Sequence, residues 1–245
     1  MPAQEIGDSA VDIALYDVLG FDSPRRATFV GHVALSSRTV SVSRGVPASV
    51  RLAHMTPPLL VDAPFFALRQ THGAAGLDDS ERDLIATYVR QLQSEYQAEK
   101  KRRQATGTWS PDAGEQFRAD QYMIRPHVRL PDDERPYHQI SCAGFVQEAY
   151  HEAGIVLVDT AEANLPPCWL ETLRTAYAEM APQIEDVTFR VDKGLVGDGP
   201  WPILLPGYIM HALDREREEI LASPFRATPG DECFPRQQTT VESSS

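Results

Sequence analysis

Residues 137–154 read YHQISCAGFVQEAYHEAG, and the fold turns on this stretch. Ser141 carries the short hydroxyl side chain favoured at a helix N-cap. Behind it Ala143, Phe145, Val146, Ala149, Tyr150 and Ala153 recur at spacings that line one helical face. Gly154 is suited to the left-handed residue that closes a helix. The spacing therefore predicts a helix from Ser141 to Gly154 with Cys142 in its first turn. A thiol at that end sits in the positive field of the helix dipole, which favours the nucleophilic thiolate. The plain alternative is that Cys142 is a small buried hydrophobe.

A thiol that attacks a carbonyl needs a base, so the search moves outward to histidine. Downstream, His151 lies on the same helix nine positions on. His211 sits in a second helical stretch after Pro206. Neither stands on a strand. Upstream, Ala27 to Leu35 (ATFVGHVAL) reads as a strand with His32 near its middle. Val11 to Val18 (VDIALYDV) reads as a strand before it. Thr39 to Ser43 (TVSVS) alternates β-branched and small polar residues, as a half-buried strand does, and forms a hairpin with the His32 strand across Ser36 to Arg38.

Ser-Cys-Ala-Gly-Phe-Val-Gln-Glu-Ala-Tyr, followed by Ala-Gly-Ile, resembles the nucleophile helix of NlpC/P60 cysteine peptidases and amidases, usually Asp-Cys-Ser-Gly-Phe-Val. Pro136-Tyr137 is similar to the Pro-Tyr that often precedes that cysteine. Gly31-His32-Val33-Ala34-Leu35 resembles the family's base strand, and Asp12 to Tyr16 its Gly-Asp-Leu-Val-Phe strand. Ser141 and Ala143 depart from the usual Asp and Ser. With the base strand ahead of the cysteine helix, the order is similar to that of the circularly permuted branch, which includes YiiX-like and lecithin:retinol acyltransferase-like proteins. The resemblance implies an α+β, papain-like permuted core: a small antiparallel sheet packed on the Cys-bearing helix, with helical insertions. It implies a thiol-dependent hydrolase, a cysteine peptidase or amidase, acting through a Cys142 acyl-enzyme with His32 as base. An acyltransferase with the same machinery, or a non-catalytic binding domain that retains the fold, are the alternatives. A third arrangement, the usual family order, would take His211 as base. No cofactor or metal is required, and the substrate is a small molecule or a peptide.

The group behind the imidazole is open. Ser41 or Ser43 would lie across the hairpin from His32. His54 and Asp62 are candidates if the orienter comes from the following segment. For the oxyanion, the N–H of Cys142 is the first donor. Tyr137 and Gln139 are side-chain candidates, and His138 either lines the mouth of the site or is an exposed loop residue.

Composition narrows the partners. The chain has 245 residues, 23 Lys and Arg, 35 Asp and Glu, a formal charge of −12 and 42% apolar residues. It is long enough to bury a core and too acidic to carry the footprint of a general nucleic-acid binder. Three Cys make no disulfide scaffold. Cys168 and Cys233 have no zinc-ligand spacing. No basic start followed by an apolar run marks a secretory signal, and no run approaches a membrane span, so the default location is cytoplasmic. The oligomeric state is open.

The remainder is read more coarsely. Residues 51–66 are Pro-broken and irregular. Asp78, Asp79 and Ser80 offer caps for a helix, Ser80 and Asp83 forming a capping box, with Leu84, Tyr88, Leu92 and Tyr96 on its inner face. That helix runs out through Lys100 to Arg103, a solvated basic turn. Glu115 to Tyr122 is weakly helical, Trp169 to Met180 helical, Val187 to Val191 a strand, and Tyr208 to Leu221 a helix begun by Pro206. Gly194 to Gly199 is a loop without P-loop chemistry. His72 and His127 read as surface loop residues. One domain over 1–235, with an insertion at about 77–136 and a disordered tail at 236–245, is expected.

Overall fold

A computed structural model describes residues 3–6, 10–23, 26–43, 50–55, 59–65, 70–109, 122–123, 128–176 and 181–235. It is mixed α/β. Its centre is a six-stranded antiparallel sheet in the order β1-β8-β3-β4-β6-β7. The strands are β1 (Gln4–Glu5), β3 (Val18–Ser23), β4 (Arg26–Ser36), β6 (Val50–Met55), β7 (Leu59–Phe65) and β8 (Gln70–Gly73). All lie in the first 73 residues. A separate ribbon of β2 (Val11–Ile13) and β5 (Val40–Val42) pairs Val11 with Val42 and Ile13 with Val40.

Both faces of the sheet are buried. One face gives Leu19, Phe21, Ala34 and Leu52 to a small cluster with Val11, Ile13 and Val42 of the ribbon. The other gives Val18, Val30, Val33, Leu35, Ala53 and Met55 to the main core. Strands covered on both sides read as continuous apolar runs, and β4 does. Over the main core lie α1 (Asp79–Ala105), α2 (Cys142–Glu152) and α6 (Pro206–Leu213). Gly207 lets α6 close up: a Cβ there would stand 2.4 Å from the Asp231 carbonyl oxygen. The smaller elements are β9 (Val128–Arg129) paired with β10 (Gln139–Ile140), β11 (Pro167–Cys168) paired with β12 (Trp201–Pro202), α3 (Leu170–Ala176), α4 (Ala181–Ile184), α5 (Val187–Asp192) and α7 (Arg217–Ala222).

Several expectations are corrected. The run from Val11 to Val18 is two strands, because Asp17 Oδ2 accepts from the Ala14 N–H at 2.8 Å and Tyr16 takes φ 67°, which turns the chain. The β4–β5 hairpin does not form: β5 pairs with β2, and β4 pairs with β3 and β6. Residues 51–66 hold β6 and β7. Pro64 is tolerated because β7 is an edge strand. The capping box of α1 is Asp78 with Glu81, and its inner face carries Ile85 and Val89, while Leu84 is exposed.

Val187 to Val191 is helical. The Asp186 carboxylate accepts from the N–H groups of Thr188 and Phe189 and so starts α5 against the β-branched pattern. The helix after Pro206 breaks between Leu213 and Arg217. His72 is a buried residue of β8. Glu115 to Gln121, Tyr177 to Met180, His127 and 236–245 fall outside the described residues. Among the described residues no helix is long and apolar enough to cross a membrane.

The basic run is a mostly solvated turn, as read: Lys100, Lys101 and Arg102 are exposed and Arg103 is half-buried. Arg102 donates twice to Glu99 at 2.7 Å, and Arg103 donates to Glu99 at 2.5 Å and to the Tyr137 hydroxyl at 2.9 Å. The Glu99 side chain is fully buried. Two of the four cations thus share one buried carboxylate, which holds them in place on the protein itself.

Candidate thiol site at the start of α2

The predicted helix forms as read. Ser141 Oγ accepts from the Gly144 N–H at 3.0 Å, and Gly154 takes φ 78° just beyond the last turn. Phe145, Val146, Ala149 and Tyr150 are buried in the main core. Cys142 is therefore fixed at the helix start by the packing of the roughly three turns of helix behind it. Its sulfur meets three backbone N–H groups: those of Val33, Ala143 and Cys142 itself. Val33 is the residue after His32, so the thiol rests against β4 beside the predicted base in the chain, but Val33 faces the main core with Cys142 while His32 faces Phe21 on the other side of the sheet. Burial nevertheless dominates and pushes the Cys142 thiol up to about 11, the N–H groups pulling the other way.

His32 sits beside an irregularity in the β3–β4 pairing. Phe21 faces His32 and Asp22 faces Val30, so Gly31 is the extra residue. A bulge of this kind re-aims the adjacent side chain. The His32 ring packs against Phe21, with centroids 6.0 Å apart, and meets His54 edge-on, 5.4 Å apart at 84°. His32 Nε2 is buried and has no hydrogen-bond partner among the described residues. Burial first, then His54, pushes the His32 imidazole down to about 3. Burial also lowers His54. Both rings are consequently neutral at pH 7.

Of the four candidates for the group behind His32, only His54 is beside it. Ser41 is on the exposed ribbon, where its hydroxyl donates to Asp12 at 2.5 Å. Ser43 follows the ribbon and is exposed. Asp62 is taken by Arg38 and Arg51, at 2.7 and 2.8 Å, which hold its carboxyl well below the usual range. These placements correct the two serines, and the reason is the β5–β2 pairing that carries them away from β4.

The oxyanion candidates on side chains are likewise committed elsewhere. The Tyr137 hydroxyl accepts from Arg103, and Gln139 Oε1 accepts from Arg129 at 3.2 Å. His138 is half-buried, with Nδ1 2.6 Å from Glu95 Oε2; its N–H donates to the same carboxylate and its carbonyl accepts from Tyr96. These three residues brace the segment leading into Cys142. The donors left at the sulfur are the backbone N–H groups of Val33, Ala143 and Cys142. His211 donates from Nε2 to the Cys233 carbonyl at 2.8 Å and packs between Phe225 and Phe234, so it is bound to another part of the fold. The Val33 N–H was missed in the sequence, because a backbone donor has no side-chain signature. The bracing by Glu95 and Tyr96 was missed because α1 lies about forty residues away.

Among the described residues no cluster of three or more His, Cys, Asp or Glu is arranged to hold a metal ion. No family model, no curated protein and no solved structure matches the chain. Function is therefore read from its own residues.

Proposed function

We propose that the chain is a thiol hydrolase on a permuted NlpC/P60-like core, with Cys142 as nucleophile, His32 as base and His54 behind the imidazole. The observation that carries this reading is the seating of the Cys142 sulfur at the start of α2 against β4 at Val33, the residue after His32, with the His54 ring beside His32 on the opposite face of the strand. In the reaction Cys142 Sγ attacks an amide or ester carbonyl while its proton passes to His32, whose imidazole must first swing past the Gly31 bulge from the Phe21 face to the thiol. The negative oxygen is held by the N–H of Cys142 at the helix start. Collapse expels the leaving group, which takes the proton from His32. Water, with His32 again as base, releases the acid and restores the thiol; an amine or alcohol in place of water makes the same site an acyltransferase. With the thiol raised and the imidazole lowered, the resting pair is neutral. The proton moves as the sulfur attacks, and no thiolate–imidazolium pair waits beforehand.

A second reading, a binding domain that retains the fold, is favoured by the burial of Cys142, which is 2% exposed. One experiment separates the two. The protein is incubated with p-nitrophenyl acetate and the acetylated cysteine is mapped by mass spectrometry. Acetylation at Cys142, lost in Cys142→Ala and slowed on the order of a hundredfold in His32→Ala, is the expected result. Acetylation of Cys142 no faster than of Cys168 or Cys233, and indifferent to His32→Ala, establishes the binding domain instead.

A further inference from the structure

The segment from Cys168 to Trp201 forms an excursion closed at its base and tied around its rim. Cys168 pairs with Trp201 across β11–β12. The Trp201 indole donates to the Val196 carbonyl at 2.9 Å. Arg174 of α3 bridges to Glu185, just ahead of the α5 cap. Its inner side chains, among them Leu173, Ile184 and Leu195, belong to the main core.

Its outer side is unusual. Trp169 is 56% exposed, Val187 62%, Val191 45% and Val196 71%. Val187 and Val191 are one helical turn apart and so share a face of α5. Single exposed apolar residues are ordinary, but Val187 and Val191 on one helical face, with Trp169 and Val196 also exposed on the same closed excursion, set this region apart. The charges around them are one-sided. The sequence from 168 to 201 has six acids and three cations. Arg174 is paired with Glu171 and Glu185. Arg190 is buried and donates to the carbonyls of Ile184 and Glu185. Lys193 is buried over the Phe189 ring. Asp192, next to Val191 in the chain, and Asp198, two residues after Val196, are exposed.

We propose that this outer face docks a basic peptide segment of another protein, one that carries apolar anchors. Charge selects the occupant. A second copy of the chain brings another net −12 to an acidic face, whereas Lys or Arg on a partner complements Asp192 and Asp198 while its apolar side chains cover Trp169, Val187, Val191 and Val196. The surface is independent of the thiol chemistry and stands whichever reading of Cys142 holds.

The test uses the full chain and a fluorescein-labelled amphipathic Lys/Leu peptide followed by fluorescence anisotropy, with Lys/Ser and Glu/Leu peptides as controls. The Lys/Leu peptide is expected to bind with salt-sensitive affinity. V187S/V191S, which changes only exposed positions, is expected to weaken it on the order of tenfold, and D192N/D198N to flatten the salt dependence. Unchanged circular dichroism confirms that both variants fold. The proposal is overturned if the Lys/Ser peptide binds as tightly as Lys/Leu, if nothing binds, or if both variants bind like the parent. It is equally overturned if sedimentation shows a dimer that V187S/V191S dissociates, since the occupant is then a second copy.

Discussion

Strand β3 has a histidine on the neighbouring strand at each side, and the two are treated in opposite ways. On β8, His72 faces Leu19 across the pairing and its Nε2 lies 2.7 Å from Asp17 Oδ2, both side chains about 5% exposed. On β4, His32 faces Phe21, and its Nε2 has no such partner. A buried imidazole with its own carboxylate is satisfied and holds structure together. A buried imidazole without one is costly to the fold and free to exchange a proton with something else. The comparison separates a structural histidine from a candidate base by partners alone.

The largest effect that can break this contrast is at Asp17. Asp17→Ala removes the partner of His72 and strands the Ala14 N–H, at a cost of about 3–5 kcal/mol in urea unfolding at pH 7. A loss below about 1 kcal/mol would show that His72 is not a structural histidine. The second effect is acid lability. His32 binds its proton near 6.5 in the unfolded chain and near 3 in the folded one, so the unfolded state holds more protons between those values. Its contribution to stability is complete above pH 6.5 and falls as the pH drops toward 3, by up to about 3 kcal/mol at pH 4. His32→Leu should lose about one proton from the slope of stability against pH, and an unchanged slope would mean that the ring is solvated.

Third, iodoacetamide labelling of Cys142 in the resting protein should rise with a midpoint near 11, against about 8.5 for an ordinary thiol. A midpoint below 8 would reveal a preformed thiolate and contradict the neutral pair. The smallest effect is the baseline stability of His32→Leu at pH 7. An apolar group of similar volume replaces an unpartnered nitrogen, so the change should stay within about 1 kcal/mol. A loss as large as that of Asp17→Ala would erase the distinction between the two histidines.

What the sequence disclosed follows from which forces are local. The α2 helix was legible because its cap, apolar spacing and closing glycine all lie within eighteen residues. The β4 strand was legible because its run of Phe, Val, Ala and Leu is apolar on both faces. Strands β6 and β7 were hidden by Pro57, Pro58 and Pro64, whose meaning depends on knowing which strand is an edge. Val187 to Val191 misled because β-branched composition was outweighed by one carboxylate at Asp186. At the site, Cys142 and His32 were chosen from local pattern. The choice among Ser41, Ser43, His54 and Asp62 turned on which strand β5 joins, and pairing partners are set by the whole sheet rather than by neighbouring residues.

The order of elements also has a consequence for synthesis. Every strand of the central sheet has emerged by Gly73, but the helices that cover its main face end at Leu213. At 5–20 residues per second the ribosome needs on the order of 10 s to supply those roughly 140 residues. Through that interval Val33, Leu35, Ala53 and Met55 lack α2 and α6, and only α1 is at hand to cover them. The nascent sheet, rather than the finished protein, is therefore the species that a holding chaperone would have to shield, and a stall after α1 would leave an aggregation-prone fragment that already holds His32 but not yet Cys142.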